Sequence, residues 1–337
     1  MRFRFFTLIL TCLLLGAYLN SEAQKGNILI DKGLAYLAST QSTSKGYEPG
    51  QGASIEPGVT PELSKAVGDW GGGGISALCL QAFLQNGHNI DDPVYGTTVT
   101  NGINYLLNKQ TKTGYWAGRI GDWSEGYETA MAIVALKTAL DIPLAAGGFI
   151  SGALRTQIED ALALALNYYT QGINTGWTAV SWRYNRDYTS EYGGDMSVNQ
   201  WVYLALDAMN YTDKNVWNKI YNYLNNVKCS SGDYSYVGYQ SCGTRPQGNT
   251  CAGTWGAVLA GSYGVAAAPV LKDRFYNYLD NFSLSQLIDY WNIGDNQIYS
   301  GGGYYYYLYA FSKAMALGNK TIFAGGDYYL YLYNAIE

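Results

Sequence analysis

The feature that most constrains the fold is a unit of two helices joined by a turn rich in glycine and aromatic residues, seen most clearly at Gly102–Leu140. The first helix is amphipathic, because Ile103, Leu106 and Leu107 share one helical face. The second helix, from Glu128 onward, is apolar on nearly every side. A helix that is apolar all round is surrounded by protein. The unit therefore predicts an outer helix packed against an inner one.

This unit recurs along the chain. In three copies a glutamine ends the outer helix, a glycine follows, and an aromatic residue stands six positions after the glutamine. Glycine permits the turn, and the aromatic ring is predicted to pack the loop back across the helix ends. Degenerate copies follow around Tyr223 and Tyr278. The three glutamine–aromatic pairs are Gln41 and Tyr47, Gln110 and Trp116, and Gln171 and Trp177.

After each turn comes a helix rich in apolar and small residues, which lets neighbouring inner helices approach closely. Two shells of helices bury themselves by closing into a ring. The sequence therefore predicts an all-α fold, a single α/α toroid of about five to six helix pairs over residues 24–337. An open α-solenoid is the alternative, and a last helix at Thr321–Ile336 would close the ring. The predicted inner helices are Gly72–Leu84, Glu128–Leu140, Ser197–Met209, Ala252–Gly264 and Tyr304–Leu317.

The N-terminus has the pattern of a cleaved secretory signal peptide at residues 1–23. Arg2 and Arg4 precede an apolar run, and Ser21 and Ala23 supply small residues before the cleavage point. The apolar run is too short for a stable membrane span. The mature chain is therefore predicted to be secreted or periplasmic, without a transmembrane anchor. Its charge is acidic, −5 for the whole chain, which argues against a nucleic-acid partner.

The cysteines of the mature chain predict one disulfide, since export permits such bonds. Cys79 lies in an apolar helix and is predicted to be a buried free thiol. One bridge is expected among Cys229, Cys242 and Cys251, with Cys229–Cys242 favoured, although the sequence does not fix the pair. The 33 tyrosines suit a surface or cavity that binds sugar or lipid. They equally suit half-buried positions that leucine would otherwise occupy.

Several stretches resemble a known family. KQTKTGYW and TQGINTGW resemble the QW-type repeat of squalene–hopene cyclases and their prenyltransferase relatives. GINYLLNKQ, GYETAMAIVALKTAL and GGDMSVNQWVYLALDAM are similar to smaller bacterial proteins of the prenyltransferase/squalene-oxidase-repeat, or squalene-cyclase-like, type. The resemblance extends over about Gly26 to Asn210 and implies an α/α toroid. It does not imply one activity, because this fold carries many.

The known chemistries of that fold find little support in the residues. The cyclase motif resembles the run from Glu125 to Ala130, but Tyr127 occupies the place of the catalytic aspartate and is a far weaker acid. The single histidine, His88, has no zinc-ligand partners at a suitable spacing. The sequence therefore predicts neither a metal site nor a cofactor.

Carboxylates recur at the starts of the predicted inner helices. If those helices all begin at one end of a toroid, their acids and the neighbouring aromatics surround one mouth. Glu125, Glu128 and Asp195 are the candidate catalytic residues, since paired carboxylates are what glycoside hydrolysis requires. Capping of the helix N-termini is the competing interpretation of these acids. The candidate ligand-binding residues are Asp69, Trp70, Trp123, Tyr127, Tyr192, Trp201 and Trp255.

These observations predict an exported squalene-cyclase-like protein that binds a glycan or an isoprenoid lipid at the acidic, aromatic mouth. The alternative is an enzyme that uses Glu125, Glu128 and Asp195. It would then be a lyase or hydrolase on polysaccharide, or an isomerase of the terpenoid-cyclase kind.

Overall fold

The structure of the chain is a computed structural model. Its account of the protein covers residues 28–43, 67–116, 125–145, 147–184, 189–240, 246–281, 302–320, 322–323 and 326–327. The predicted signal peptide, Tyr47 and Trp123 lie outside these residues. Within them, no helix is long and apolar enough to cross a membrane.

The described residues are mostly helical, which confirms the all-α prediction. They form ten helices and four short strands. The helices are α1 (Ile28–Thr40), α2 (Gly73–Gln85), α3 (Gly96–Lys109), α4 (Glu125–Asp141), α5 (Gly152–Thr170), α6 (Met196–Ala208), α7 (Lys214–Val227), α8 (Pro246–Ser262), α9 (Ala268–Asp280) and α10 (Gly302–Leu317). The strands are β1 (Lys228–Ser231), β2 (Tyr234–Val237), β3 (Ile322–Phe323) and β4 (Gly326–Asp327).

The helices sort into the predicted inner and outer sets. Helix α2 is buried along almost its whole length, whereas α7 buries one stripe that includes Val216, Ile220 and Leu224. The inner helices pack in sequence, α2 on α4, α4 on α6, α6 on α8 and α8 on α10. Outer helices pack on these, with α1 and α3 on α2, α5 on α4, and α7 and α9 on α8. Closure of this series into a ring remains a prediction.

The inner helices run in the same direction. At their N-terminal ends, the Glu128 side chain of α4 lies against Gly73 and Gly74 of α2. At the other end, Tyr263 after α8 donates a hydrogen bond to Asp207 of α6, with 3.0 Å between Oη and Oδ1. The first turns of the inner helices therefore share one end of the molecule, which we call the mouth.

One stretch differs from the sequence prediction. The segment Thr321–Ile336 was expected to be helical, but β3 and β4 form an antiparallel pair within it. Ile322 and Phe323 favour strand, and the adjacent glycines at 325 and 326 disfavour helix. The loop between α7 and α8, for which the sequence predicted no regular structure, contains a hairpin in which β1 and β2 pair and Gly232 takes a left-handed φ of 56° at the turn.

Tryptophans fasten three of the outer helices, α1, α3 and α5, to the loops that follow them. The indole Nε1 atoms of Trp70, Trp116 and Trp182 donate to the carbonyls of Leu37, Leu106 and Tyr169, at 2.8, 2.7 and 3.3 Å. Each of these carbonyls lies in the last turn of its helix, where regular helical hydrogen bonding ends; those of Leu37 and Leu106 also accept from the Thr40 hydroxyl and the Gln110 N–H. The tryptophans therefore act as C-terminal caps supplied by the tertiary structure.

The main chain of the same tryptophans is held by the inner helices. Their N–H groups donate to Ser76, Thr129 and Asn199 in the first turns of α2, α4 and α6, at 3.0, 3.0 and 2.8 Å. In the fourth copy, Val237 N–H donates to Thr250 at 3.2 Å. Trp182 rather than Trp177 is thus the aromatic of the third repeat. Trp177 is half-buried and lies outside this pattern.

The predicted glutamines join one repeat to the next. Gln41 Nε2 donates to the Thr98 carbonyl at 2.9 Å, and Gln110 Nε2 donates to the Ala161 carbonyl of α5 at 2.7 Å. In the third copy Gln171 is exposed, and the hydrogen bond is donated by the following outer helix instead. The buried Lys219 reaches back from α7 to the Asn174 carbonyl at 2.9 Å. The junction between neighbouring outer helices is therefore made in two ways. In the first two copies a glutamine at the end of the preceding helix donates the hydrogen bond, and in the third copy a lysine of the following helix donates it.

The cysteines narrow the disulfide prediction. Cys79 is a buried thiol outside any disulfide, as predicted, and so is Cys251. Of the three candidates for the bridge, Cys251 is therefore removed. Cys242 lies outside the described residues, so Cys229–Cys242 remains a prediction.

Candidate functional site

Five residues meet where the first turns of α4 and α6 lie side by side at the mouth, and we call them the mouth cluster. They are Tyr127 of α4, Asp195 and Ser197 at the start of α6, and the loop residues Tyr184 and Tyr239. Main-chain bonds place the loops. Gly126 N–H donates to the Tyr184 carbonyl at 2.5 Å, and Met196 N–H donates to the Tyr239 carbonyl at 2.9 Å. These first-turn N–H groups have no partner within their helices, so the loop carbonyls satisfy them.

Hydrogen bonds connect the side chains of the cluster. Asp195 caps α6, since its Oδ1 accepts from Ser197 N–H at 3.0 Å and from the Ser197 hydroxyl at 2.5 Å. The Ser197 hydroxyl also hydrogen-bonds to that of Tyr127. Because serine has one hydroxyl hydrogen and gives it to the carboxylate, Tyr127 is the donor in that bond. The hydroxyls of Tyr184 and Tyr239 hydrogen-bond to each other.

The electrostatics of the cluster follow from the burial of Asp195, whose side chain is fully excluded from solvent. Burial raises the pKa of its carboxyl, while hydrogen bonds from Ser197 and Tyr239 oppose that shift. Burial and the nearby Asp195 raise the pKa values of Tyr239 and Tyr184 above the ordinary value. Both tyrosines are therefore neutral hydroxyls at physiological pH. The Asp195 Oδ2 atom has no hydrogen-bond partner of ordinary geometry among the described residues.

The other two candidate catalytic carboxylates have different surroundings. Glu125, in the first turn of α4, accepts a hydrogen bond from the Tyr168 hydroxyl at 3.2 Å. Glu128 lies against the start of α2, so closely that a Cβ atom at Gly73 would be 2.6 Å from its Oε2. A carboxylate in that position interacts favourably with the N-terminal end of the neighbouring helix. The structure thus brings Asp195 and Tyr127 together, and it joins Glu128 to α2.

Asp69 has the geometry of a cap. Its Oδ1 accepts hydrogen bonds from the N–H groups of Gly71 and Gly72, at 2.7 and 2.9 Å, and from the Ser76 hydroxyl at 3.2 Å. These contacts fix the loop that leads into α2. The capping interpretation of the recurring acids therefore describes Asp69 well, and it describes part of the role of Asp195.

Three of the candidate tryptophans, Trp70, Trp201 and Trp255, lie in the interior. Trp70 is a helix cap, and Trp255 is fully buried with its Nε1 donating to the Ala310 carbonyl of α10 at 2.9 Å. Trp201 stacks on Tyr309, with 5.0 Å between ring centroids and 16° between planes. Trp255 lies edge-on to Trp201 at 6.2 Å. These rings form an apolar contact among α6, α8 and α10.

A second group lies near the cluster on the exposed loop before α6, and we call it the rim patch. It consists of Thr178, Glu191 and Tyr192. Glu191 Oε1 accepts hydrogen bonds from the Thr178 N–H at 2.7 Å and from the Thr178 hydroxyl at 2.6 Å. The Thr178 hydroxyl also lies 2.9 Å from that of Tyr192. The hydrogen bonds from Thr178 lower the pKa of Glu191, which is therefore ionised at physiological pH.

Sequence reasoning missed Tyr184, Ser197 and Tyr239. A signal for two of them exists in the repeat. Tyr184 stands two positions after Trp182, and Tyr239 stands two positions after Val237. Trp182 and Val237 occupy the same place in their repeats, so the two tyrosines are equivalent residues. Alignment of the third copy on Trp177 conceals this relationship.

Comparisons with known proteins assign the chain to no family. No protein-family profile matches the chain, and no curated protein is significantly similar to it. Within the described part of the chain, no group of three or more histidine, cysteine, aspartate or glutamate side chains is arranged to hold a metal ion.

Proposed function

We propose that the chain is an exported protein of the squalene-cyclase/prenyltransferase-repeat type, an α/α toroid that binds a glycan at the mouth cluster. Its fold assignment is supported by the parallel series of inner helices with outer helices packed on them. It is also supported by the glutamine and tryptophan contacts that recur from one helix pair to the next. The N-terminal sequence supports export.

The observation that carries the binding proposal is the group of half-buried tyrosines around Asp195. Tyr184 and Tyr239 each present a ring with a neutral hydroxyl at its tip, and Tyr127 adds a third half-buried ring. Sugars offer hydroxyls that donate and accept hydrogen bonds, together with C–H faces that pack on aromatic rings. The tyrosine hydroxyls are already hydrogen-bonded within the cluster, so an isoprenoid chain gains only apolar contact there, whereas a sugar can also exchange hydrogen bonds with their remaining lone pairs. A glycan therefore fits the cluster better than an isoprenoid lipid does.

Binding of the purified mature chain to an array of neutral and acidic glycans tests this proposal, with polyprenyl phosphates in vesicles as the competing ligand. We expect a glycan to bind and Tyr239→Ala to weaken its binding about tenfold, since an aromatic contact contributes roughly 0.5–1.5 kcal/mol. Phe149→Ala is the matched control. That exposed aromatic follows α4 and thus lies at the end opposite the mouth. Equal loss in both variants, or binding of the polyprenyl lipid alone, would contradict the proposal.

The raised pKa of Asp195 favours a second candidate, an enzyme that uses this residue as a general acid. Protonation of a glycosidic oxygen requires a carboxylic acid that keeps its proton near the working pH. The enzyme would cleave a polysaccharide as a hydrolase or lyase, with Glu125 or Glu128 as the second carboxylate. Prolonged incubation with a bound glycan, followed by mass spectrometry, distinguishes the two. Product formation that Asp195→Asn abolishes supports the enzyme, and intact glycan supports the binding protein.

A further inference from the structure

The rim patch fixes an aromatic ring that solvent reaches. Tyr192 is 41% exposed, yet its hydroxyl is hydrogen-bonded to Thr178. Thr178 is held in turn by Glu191, through its N–H and its hydroxyl, and by Asn222, which donates to its carbonyl at 2.7 Å. An exposed side chain ordinarily keeps its rotamer freedom, and a ligand that orders it pays that entropy. Here the ring is ordered beforehand, as suits a surface on which a ligand packs.

A rigid connection joins the rim patch to the mouth cluster. The two chain segments that carry them pair at Ser181 and Ser190, whose main-chain groups exchange two hydrogen bonds of 2.9 Å. The Ser181 hydroxyl also accepts from Gly194 N–H at 2.9 Å, next to Asp195. Thr178 at one end and Tyr184 at the other are six positions apart, with the paired Ser181 midway between them. The rim patch and the mouth cluster are therefore two separate groups of side chains on one connected pair of segments.

The charge at the rim patch disfavours one class of glycan there, although at the cluster end the Arg183 guanidinium lies 5.9 Å from the Tyr184 ring centroid. Glu191 is ionised, and its carboxylate accepts from the same Thr178 hydroxyl that hydrogen-bonds to Tyr192. A uronate or sulfated sugar packed on that ring would bring a second negative charge close to the first, at an energetic cost. Lys219, the cation that influences Glu191, is already bonded to the carbonyls of Asn174 and Thr175.

We infer that the ligand is a neutral, linear glycan of several units, which lies across the rim patch and ends in the mouth cluster. This inference rests on the proposed function, and it adds the length and charge of the ligand. The mouth cluster supplies hydrogen bonds to the terminal unit. The Tyr192 ring supplies a second contact for a unit farther along the chain. Affinity therefore depends on whether the glycan is long enough to reach both.

Isothermal titration calorimetry with defined glycans tests this inference. The probes are cello-, manno- and chito-oligosaccharides of one to six units, with oligogalacturonates of the same lengths as the anionic set. In the series that binds, we expect affinity to rise at least tenfold between the monosaccharide and the hexasaccharide and then to level off. Oligogalacturonates are expected to bind more weakly than the neutral series. Affinity independent of length, or tighter binding of the anionic set, would overturn the inference.

Two variants of Tyr192 separate ligand contact from loop stability. Tyr192→Ala is expected to reduce hexasaccharide affinity about tenfold, the equivalent of about 1.4 kcal/mol, and to leave monosaccharide affinity unchanged. Tyr192→Phe keeps the ring and loses only its tie to Thr178, so it should lose less. Equal effects on the short and the long glycan would refute the second contact. If no oligosaccharide binds, the proposed function itself fails; if glycans bind without length dependence, only this inference does.

Discussion

Replacing Trp182 by phenylalanine should destabilise the protein much more than the same change at Trp177. The Trp182 side chain is 1% exposed, and its Nε1 donates to the carbonyl of Tyr169 in the last turn of α5. Phenylalanine removes that donor and leaves the carbonyl buried without its cap, at a cost of about 1–3 kcal/mol. The smaller ring also leaves space in a packed interior, which adds roughly 1 kcal/mol. The total is about 2–4 kcal/mol.

Trp177 provides the matched control, because it lies five positions earlier in the same loop. Its side chain is half-buried against the core, so the same change should cost about 0.5–1 kcal/mol, less than at Trp182. The fixed spacing between glutamine and aromatic residue in the sequence predicts instead that Trp177→Phe is the more destabilising change. The comparison therefore tests which residue is the aromatic of the third repeat.

Urea unfolding of the mature protein, followed by circular dichroism, measures the difference. The midpoint for Trp182→Phe should fall well below that of the parent chain at an unchanged slope, because the unfolded chain exposes similar surface. The midpoint for Trp177→Phe should stay close to the parent value. Equal shifts in the two variants, or a larger shift for Trp177→Phe, would refute the assignment of Trp182.

Three further predictions concern the junctions, the mouth and the hairpin. Gln110→Leu should lower the free energy of unfolding by about 1–3 kcal/mol in urea titration, because two backbone carbonyls lose a buried donor. Burial raises the pKa of Asp195 above its ordinary 3.8, so the folded state binds that proton more tightly than the unfolded chain does. The free energy of unfolding should therefore fall as pH rises above about 3.8. Urea unfolding measured across pH should show a smaller fall for Asp195→Asn. Peptide mapping without reduction should recover Cys229 linked to Cys242, and alkylation after denaturation should label Cys79 and Cys251.

The helices could be predicted because their patterns are local. Apolar residues surround α2 and α4 on every side, whereas α3 has one apolar face. The predicted inner helix Gly72–Leu84 is one residue from the observed α2. The predicted start of α8 at Ala252 is six residues late, because Pro246 is well tolerated in a first turn and is easily mistaken for loop.

The contacts of the site could not be predicted so directly. Between each tryptophan and the inner-helix residue that accepts its N–H, the separation is 6, 13 and 17 positions in the first three repeats. A search at fixed spacing therefore found Trp116 correctly, but it named Tyr47 where Trp70 makes these contacts and Trp177 where Trp182 does. The same variation concealed Tyr184 and Tyr239, whose equivalence is visible only after the third copy is aligned on Trp182.

By itself, the sequence determined the helical class, the alternation of outer and inner helices, and the acids at the inner-helix starts. These features depend on the periodicity of apolar residues and on the preferences of helix ends, both of which act over a few residues. Only the tertiary structure decided that Tyr127 meets Ser197 across two inner helices, and that Asp195 is buried among hydroxyls while Glu128 faces α2. Those outcomes depend on how parallel helices align and on where loops of unequal length return, and no local pattern specifies either.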